Sequence, residues 1–208
     1  MTELGVVEGQ GLGERFEEAL AYAAQLHAAQ TRKASGTPYI AHLLGVAALV
    51  LESGAEEDEA IAALLHDAIE DQGGAVVREE IHQRFGDRVA AIVDACSDAE
   101  TLPKPPWRER KECFLASLHQ AEPAVLRVVA ADKLHNVHSL LRAYRQQGEG
   151  LWVHFRGGKE GTLWYHQEAA RILSARGEGW LFEELADAVE ELLRATAEIE
   201  ALGVSENP

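Results

Sequence analysis

Ala62-Ala63-Leu64-Leu65-His66-Asp67-Ala68-Ile69-Glu70-Asp71 reads as an apolar helix that turns acidic in its last two turns and stops at Gly73-Gly74. A helix built only for packing keeps charge off its buried stripe, so an imidazole and three carboxylates here cost stability unless something is bound to them. Successive helical residues are about 100° apart. His66 and Glu70 therefore share one face and Asp67 and Asp71 the neighbouring one, each pair at i,i+4. The adjacent His66-Asp67 can reach a single metal ion from one side, while the carboxylates a turn later point at whatever that ion holds. The stretch reads as a metal site with an acid pair that handles water.

Outward from that helix, no stretch alternates apolar and polar residues with period 2, and apolar residues recur at 3 and 4 almost throughout. The pattern predicts an all-α chain. A first helix is expected over residues 14–30, with Phe16, Ala19, Leu20, Ala23 and Leu26 inward, and Thr31-Arg32-Lys33-Ala34-Ser35-Gly36 breaks it. Thr37 and Pro38 read as the N-cap and first residue of the next helix, 38–52, which buries Ile40, Leu43, Leu44, Ala47 and Leu51. Glu56, Glu57 and Asp58 stand where the dipole of the central helix favours negative charge. Shorter helices are expected over 76–85 and 87–96. Pro103, Pro105 and Pro106 exclude regular helix from 97–106, and this loop leads into the basic run Trp107-Arg108-Glu109-Arg110-Lys111. Pro123 opens a long helix to about Gln147, ended by Gly148 and Gly150. An aromatic segment, 152–165, surrounds Gly157-Gly158, and a last amphipathic helix covers 180–201. The expected architecture is one helical domain over 14–202, between a flexible lead at 1–13 and a tail at 203–208.

At 208 residues the chain can bury one sizeable core and is short for two ordinary domains. Its formal charge of −16 repels nucleic acid and anionic membranes at long range, so DNA, RNA and bilayers are poor partners and a polyanion needs a local basic pocket. Cys96 and Cys113 form neither a CxxC pair nor a metal-ligand spacing, which suits reduced packing thiols. The N-terminus has no basic-then-apolar secretory pattern. The longest apolar run, 43–51, is far short of the roughly 20 residues that cross a bilayer. A soluble, cytoplasmic protein is expected. The sequence is otherwise silent on oligomeric state and leaves a homodimer open.

The His66-Asp67 dipeptide alone is weak evidence, and its context strengthens it. Asp132 lies i+4 from Val128 and i+3 from Val129, on or beside an apolar stripe where an unpaired carboxylate is expensive; an ion pair with Lys133 or an arginine is the plainer alternative. His42 stands in the first turn of its helix and alone would read as a hydrogen-bonded packing histidine. Together His42, His66, Asp67 and Asp132 make a mixed N/O set with open positions, which suits Mn2+ or Fe2+, with Zn2+ admissible, better than Mg2+ or Ca2+. A metal in such a site activates water near neutral pH. Glu70 and Asp71 can orient that water or take its proton, and the plain alternative, surface acids at a helix C-terminus, is disfavoured by the dipole. Lys104, Arg108, Arg110 and Lys111 could grip phosphates, or equally form a solvated helix face paired with Glu109 and Glu112. The tryptophans and Tyr165 read as core. The other histidines, His135 and His166 among them, fit no ligand spacing.

These residues resemble a family. His42, then His66-Asp67, then Asp132 follow the H…HD…D signature of the HD phosphohydrolase superfamily. Arg32-Lys33-Ala34-Ser35-Gly36-Thr37-Pro38-Tyr39-Ile40-Ala41-His42, Leu64-Leu65-His66-Asp67-Ala68-Ile69-Glu70-Asp71 and Ala131-Asp132-Lys133-Leu134-His135-Asn136 are similar to the hydrolase domain of RelA/SpoT-type enzymes and of the small stand-alone alarmone hydrolases. The resemblance covers residues 14–144 in order. It implies an all-helical HD bundle, here with additional C-terminal helices, that removes the 3′-pyrophosphate of guanosine 3′,5′-bispyrophosphate, normally with Mn2+. By position, His42, His66, Asp67 and Asp132 match the metal ligands and Glu70 and Asp71 the catalytic acids. Arg32 and Lys33 match the pair that packs on the purine, and Asn136 the residue near the ribose. Lys104, Arg108 and Lys111 are candidate substrate contacts from the basic run. The proline-rich run 104–111 and the segment 152–165 depart from the family pattern and bear on the identity of the nucleotide more than on the chemistry.

Three rivals remain at this stage. A phosphatase for another nucleotide or a nicotinamide dinucleotide phosphate keeps the chemistry and changes the substrate. A non-catalytic nucleotide sensor would bind without turnover, and a purely structural helical protein would hold no metal.

Overall fold

The computed structural model describes residues 11–98 and 105–203, with side chains described as far as residue 197. Its helices are α1 (Glu14–Leu26), α2 (Ile40–Glu52), α3 (Glu57–Leu65), α4 (Ala75–Phe85), α5 (Asp87–Cys96), α6 (Trp107–Leu118), α7 (Pro123–Gln147), α8 (Gly158–Arg176) and α9 (Trp180–Gly203). A π turn, Ile69–Gly73, separates α3 from α4, and a short 3-10 helix, Gly148–His154, separates α7 from α8. The described residues contain no strand, only one isolated bridge between Thr31 and Pro38, so the all-α expectation holds.

The architecture is organised around α3. Ala60 through Leu65 are all fully buried, as a helix apolar on every side must be, and α1, α2, α5 and α7 pack around it. Its start is held by a capping box: Glu56 N donates to Glu59 Oε2 at 3.0 Å. Glu59 is itself buried and paired with Arg127 at 2.6 Å. The second organising element is α7, 25 residues and so about 37 Å long. Pro123 at its start and Gly148, at φ 54°, beyond its end place its bounds where the sequence predicts them. α8 and α9 pack on α7 and extend a single apolar core from Ala19 to Leu192.

Several expectations need correction. The central helix does not run on to Asp71: α3 ends at Leu65, and the backbone resumes as the π turn, with Gly74 N bonded to Ile69 O at 3.0 Å. α1 ends at Leu26 rather than near residue 30. Thr37 is not an N-cap, because residues 30–39 fold back on themselves. Arg32 N donates to Thr37 O at 2.8 Å, Tyr39 N donates to Gln30 O at 2.9 Å, and Gly36 takes φ 68° at the tip. This hairpin outcompetes the local start signal, and α2 begins at Ile40 with Tyr39 as its cap. Leu44 is 45% exposed, displaced from the buried stripe by Val46 and Val50. Cys113 is exposed rather than packed. α8 was not expected at all: residues 152–165 read only as an aromatic segment around Gly157-Gly158, whereas Gly161, inside α8, makes room for the Trp107 ring, 3.0 Å from where a Cβ would stand.

Candidate active site and metal centre

Three pieces of chain bring four side chains together at the C-terminal end of α3. His42, in the first turn of α2, is 1% exposed. His66 follows α3 and donates from Nδ1 to the Ala63 carbonyl at 2.8 Å, which turns Nε2 toward the carboxylates. His66 Nε2 lies 3.0 Å from Asp67 Oδ2 and 3.6 Å from Asp132 Oδ1. His42 Nε2 lies 3.2 Å from Asp132 Oδ1 and 3.7 Å from Asp67 Oδ2. Both Nε2 atoms are buried and make no hydrogen bond. Ligands about 2.1 Å from one shared cation stand roughly 3.0–3.4 Å apart, so two orphaned imidazole nitrogens beside two carboxylates at these distances fit a divalent cation. The ligand atoms of His42, His66 and Asp67 lie within 4.8 Å of one another, and α7 brings Asp132 to the same point.

Each of these groups is braced from behind. Tyr39 donates its hydroxyl to Asp67 Oδ2 at 2.5 Å, and Asn136 Nδ2 donates to Asp132 Oδ1 at 2.5 Å. Lys133 pairs with Asp132 Oδ2 at 2.6 Å, so the ion pair considered as an alternative for Asp132 exists alongside the cluster. His42 Nδ1 lies 2.9 Å from His135 Nδ1. Burial and the neighbouring His42 push His135 down to about 4, so its ring is neutral and a single proton lies between the two Nδ1 atoms.

The electrostatics carry the same sign. Burial would lower the His66 pKa, but Asp67 and Asp132 outweigh it and hold it well above the usual range. Burial lowers His42 in spite of Asp132. Desolvation would raise both carboxyls, yet His66 keeps Asp67 low, and Lys133 with the two imidazoles keeps Asp132 well below the carboxylate range.

A cavity of about 720 Å3 opens on the cluster, and Glu70, Asp71, Arg32, Lys33 and Asn136 all line it. The π turn carries Glu70 and Asp71, and such widened turns concentrate at functional sites. Gln30 Nε2 donates to Asp71 Oδ2 at 2.7 Å, and Arg110 lies 3.7 Å from Glu70 Oε1. Arg32 bonds Asn136 Oδ1 at 2.6 Å and lies 5.7 Å from the Tyr39 ring centre.

The basic run divides. Lys111 lines the cavity, paired with Asp98 at 2.5 Å. Arg108 does not line it; it stacks on Trp164 at 3.2 Å and pairs with Glu112 at 2.7 Å on an exposed face. Lys104 lies outside the described residues. Tyr165 is core-buried as expected but its ring also forms cavity wall, as does His166. Sequence reasoning missed the supporting roles of Tyr39, Gln30 and His135. The spacing held a signal for two of them: Tyr39 precedes His42 by three residues and His135 follows Asp132 by three, one helical turn in each case.

Fold and cluster together define a helical His/Asp metal-site protein, and residues 19–163 match the HD domain. The chain belongs to the HD-domain family, for which a divalent metal at the His/Asp cluster is the implied cofactor. Among its relatives is the human guanosine-3′,5′-bis(diphosphate) 3′-pyrophosphohydrolase MESH1, 38% identical over 128 residues, which span 60% of this chain and 69% of the relative. The Xenopus tropicalis MESH1 is 41% identical over the same shares. A guanosine-3′,5′-bis(diphosphate) 3′-pyrophosphohydrolase of Aquifex aeolicus is 35% identical over 61% of this chain but only 18% of its own length. Among solved structures, a metazoan SpoT orthologue that hydrolyses ppGpp superposes with a TM-score of 0.71 at 25% identity, covering 89% of this chain and 97% of that one.

Proposed function

We propose that this chain is a metal-dependent guanosine 3′,5′-bispyrophosphate 3′-pyrophosphohydrolase, with residues 14–202 as its hydrolase domain and Mn2+ as its working ion. The observation that carries the reading is the pair of buried, unbonded His42 and His66 Nε2 atoms facing Asp67 and Asp132, with His42, Asp67 and Asp132 lining a cavity that also holds Glu70, Asp71, Arg32, Lys33 and Asn136. The relatives' activity points the same way. His42, His66, Asp67 and Asp132 would hold the cation. When bound, it supplies an acidified water and positive charge beside the phosphoryl oxygens.

The chain's own groups do the rest. One carboxylate of the Glu70 and Asp71 pair takes the proton of the attacking water while the other orients it, with Gln30 and Arg110 fixing where those carboxylates point. Lys111 and Lys133, on the α6 and α7 walls, offset charge that develops on the pyrophosphate. Arg32 presents a planar guanidinium to the purine, a surface suited to stacking, and its bond to Asn136 ties that contact to the helix that carries Asp132. No described helix is long and apolar enough to cross a membrane, in keeping with a cytoplasmic enzyme acting on a soluble nucleotide. The test is pyrophosphate release by manganese-loaded protein across a nucleotide panel. Turnover of other nucleotides with none of guanosine 3′,5′-bispyrophosphate overturns the substrate, and absence of bound metal after reconstitution overturns the class of chemistry.

A further inference from the structure

The distribution of unneutralised cations assigns a second anion site. The chain carries 35 acidic against 19 basic residues, and among the described residues twelve Lys and Arg side chains lie within 4.0 Å of a carboxylate. Six have no such partner: Arg32, Lys33, Arg142, Arg156, Arg176 and Arg194. The first four line the one cavity described above. The cavity also holds Asp67, Glu70, Asp71, Asp98 and Asp132, but Asp98 pairs with Lys111 and Asp132 with Lys133 rather than with these four cations, which leaves the charge of the four available to an anion that enters the opening.

Arg32 and Lys33 belong to the purine side of the reading above, whereas Arg142 and Arg156 have no role in it. Polar residues step outward along the cavity side of α7 at helical spacing, from Asp132 through Asn136 and Ser139 to Arg142. At 1.5 Å per residue they stand about 6, 10 and 15 Å from Asp132 along the axis. Ser139 donates its hydroxyl to the His135 carbonyl at 2.9 Å and accepts from Arg142 NH2 at 3.2 Å, which braces the guanidinium at the rim. Arg156 comes from the turn between the 3-10 helix and α8. That turn is pinned where Gly157 meets the Trp107 ring, whose nearest atom is 2.7 Å from where a Cβ would stand.

We propose that Arg142 and Arg156 form a distal anion subsite that holds the 5′-pyrophosphate arm of the nucleotide while the 3′ arm lies at the metal cluster. The proposal rests on the reading of the substrate as a doubly pyrophosphorylated nucleoside. Guanidinium groups suit the task because they bind phosphate oxygens in pairs.

The experiment uses the full chain and compares guanosine 3′,5′-bispyrophosphate with guanosine 3′-diphosphate bearing a free 5′-hydroxyl. The wild-type preference in kcat/KM for the first substrate falls about tenfold for each of Arg142→Ala and Arg156→Ala, and Arg156→Glu lowers it further. An equal loss on both substrates, or no loss, overturns the subsite. A binding arm separates its failure from failure of the activity: guanosine 5′-diphosphate and guanosine are titrated into metal-free protein. Wild type binds the diphosphate at least tenfold more tightly and the double variant does not; absence of that preference in wild type refutes the subsite whatever the turnover.

Discussion

Gly45→Ala puts the outer support of the metal cluster to a quantitative test. Gly45 lies within α2, where alanine ordinarily gains about 1 kcal/mol over glycine. A Cβ here, however, would stand 2.4 Å from His135 Cδ2 and 2.5 Å from its Nε2. Carbon contacts are optimal at about 3.5–4.0 Å, so the ring must retreat by about 1 Å. That retreat breaks the 2.9 Å contact between His135 Nδ1 and His42 Nδ1. Overpacking of this kind costs about 1–3 kcal/mol, which leaves a net destabilisation of about 0–2 kcal/mol after the helix gain. Losing the partner that orients a ligating histidine lowers metal affinity by about 10–100-fold. Denaturant unfolding of metal-free protein and calorimetric titration with Mn2+ read the two effects on wild type, Gly45→Ala, His135→Ala and the double variant. With the ring gone the glycine substitution becomes stabilising, so the cycle shows a coupling of about 1–3 kcal/mol. If Gly45→Ala stabilises the metal-free protein with His135 in place and leaves the Mn2+ affinity unchanged, the reasoning is wrong.

Asp67→Asn loses metal and turnover together, whereas Glu70→Gln keeps metal and loses most turnover; equal metal loss in the two, measured by elemental analysis, would contradict the division of labour between ligands and acids. Leu64→Ala, at a fully buried position of α3, costs about 2–5 kcal/mol in denaturant unfolding, and a cost under 1 kcal/mol would show that α3 is not the centre of the core. His166 is held down at about 3, against an ordinary 6.5, by burial first and then by Lys133. The unfolded chain then binds more protons than the folded one below pH 6.5, so this group erodes stability as pH falls through 6.5 toward 3. The loss is about 2 kcal/mol by pH 5, and His166→Gln, compared with wild type at pH 7 and pH 5, removes that difference; an unchanged pH dependence refutes the assignment.

What was legible in the sequence were features whose cause is local in the chain. α7 announces itself through Pro123 at its first position and a glycine past its end, and the candidate ligands through carboxylates and imidazoles on apolar stripes. What was not legible depends on partners distant in sequence. The Thr37-Pro38 start signal is sound chemistry overruled by a hairpin whose bonds run from residues 30 and 32 to residues 37 and 39. The place of Gly157 and Gly161 was not legible because nothing nearby reveals that Trp107, some fifty residues earlier, needs the space their side chains would fill. The roles of His135 and Gly45 are legible only as a pair, since each makes sense of the other across two helices.

The π turn has a genetic consequence. His66 and Asp67 hang from the end of a rigid helix, and Glu70 and Asp71 hang from a turn that holds one residue more than an α-helix of the same span would. Loss of a single codon, that of Ala68, lets the helix run on and swings the acid pair by about 100°, while His42, Asp132 and the end of α3 keep their places. The expected outcome of that one in-frame deletion is a chain that still binds cation and nucleotide but no longer turns the nucleotide over, a far shorter step than dismantling the His/Asp cluster.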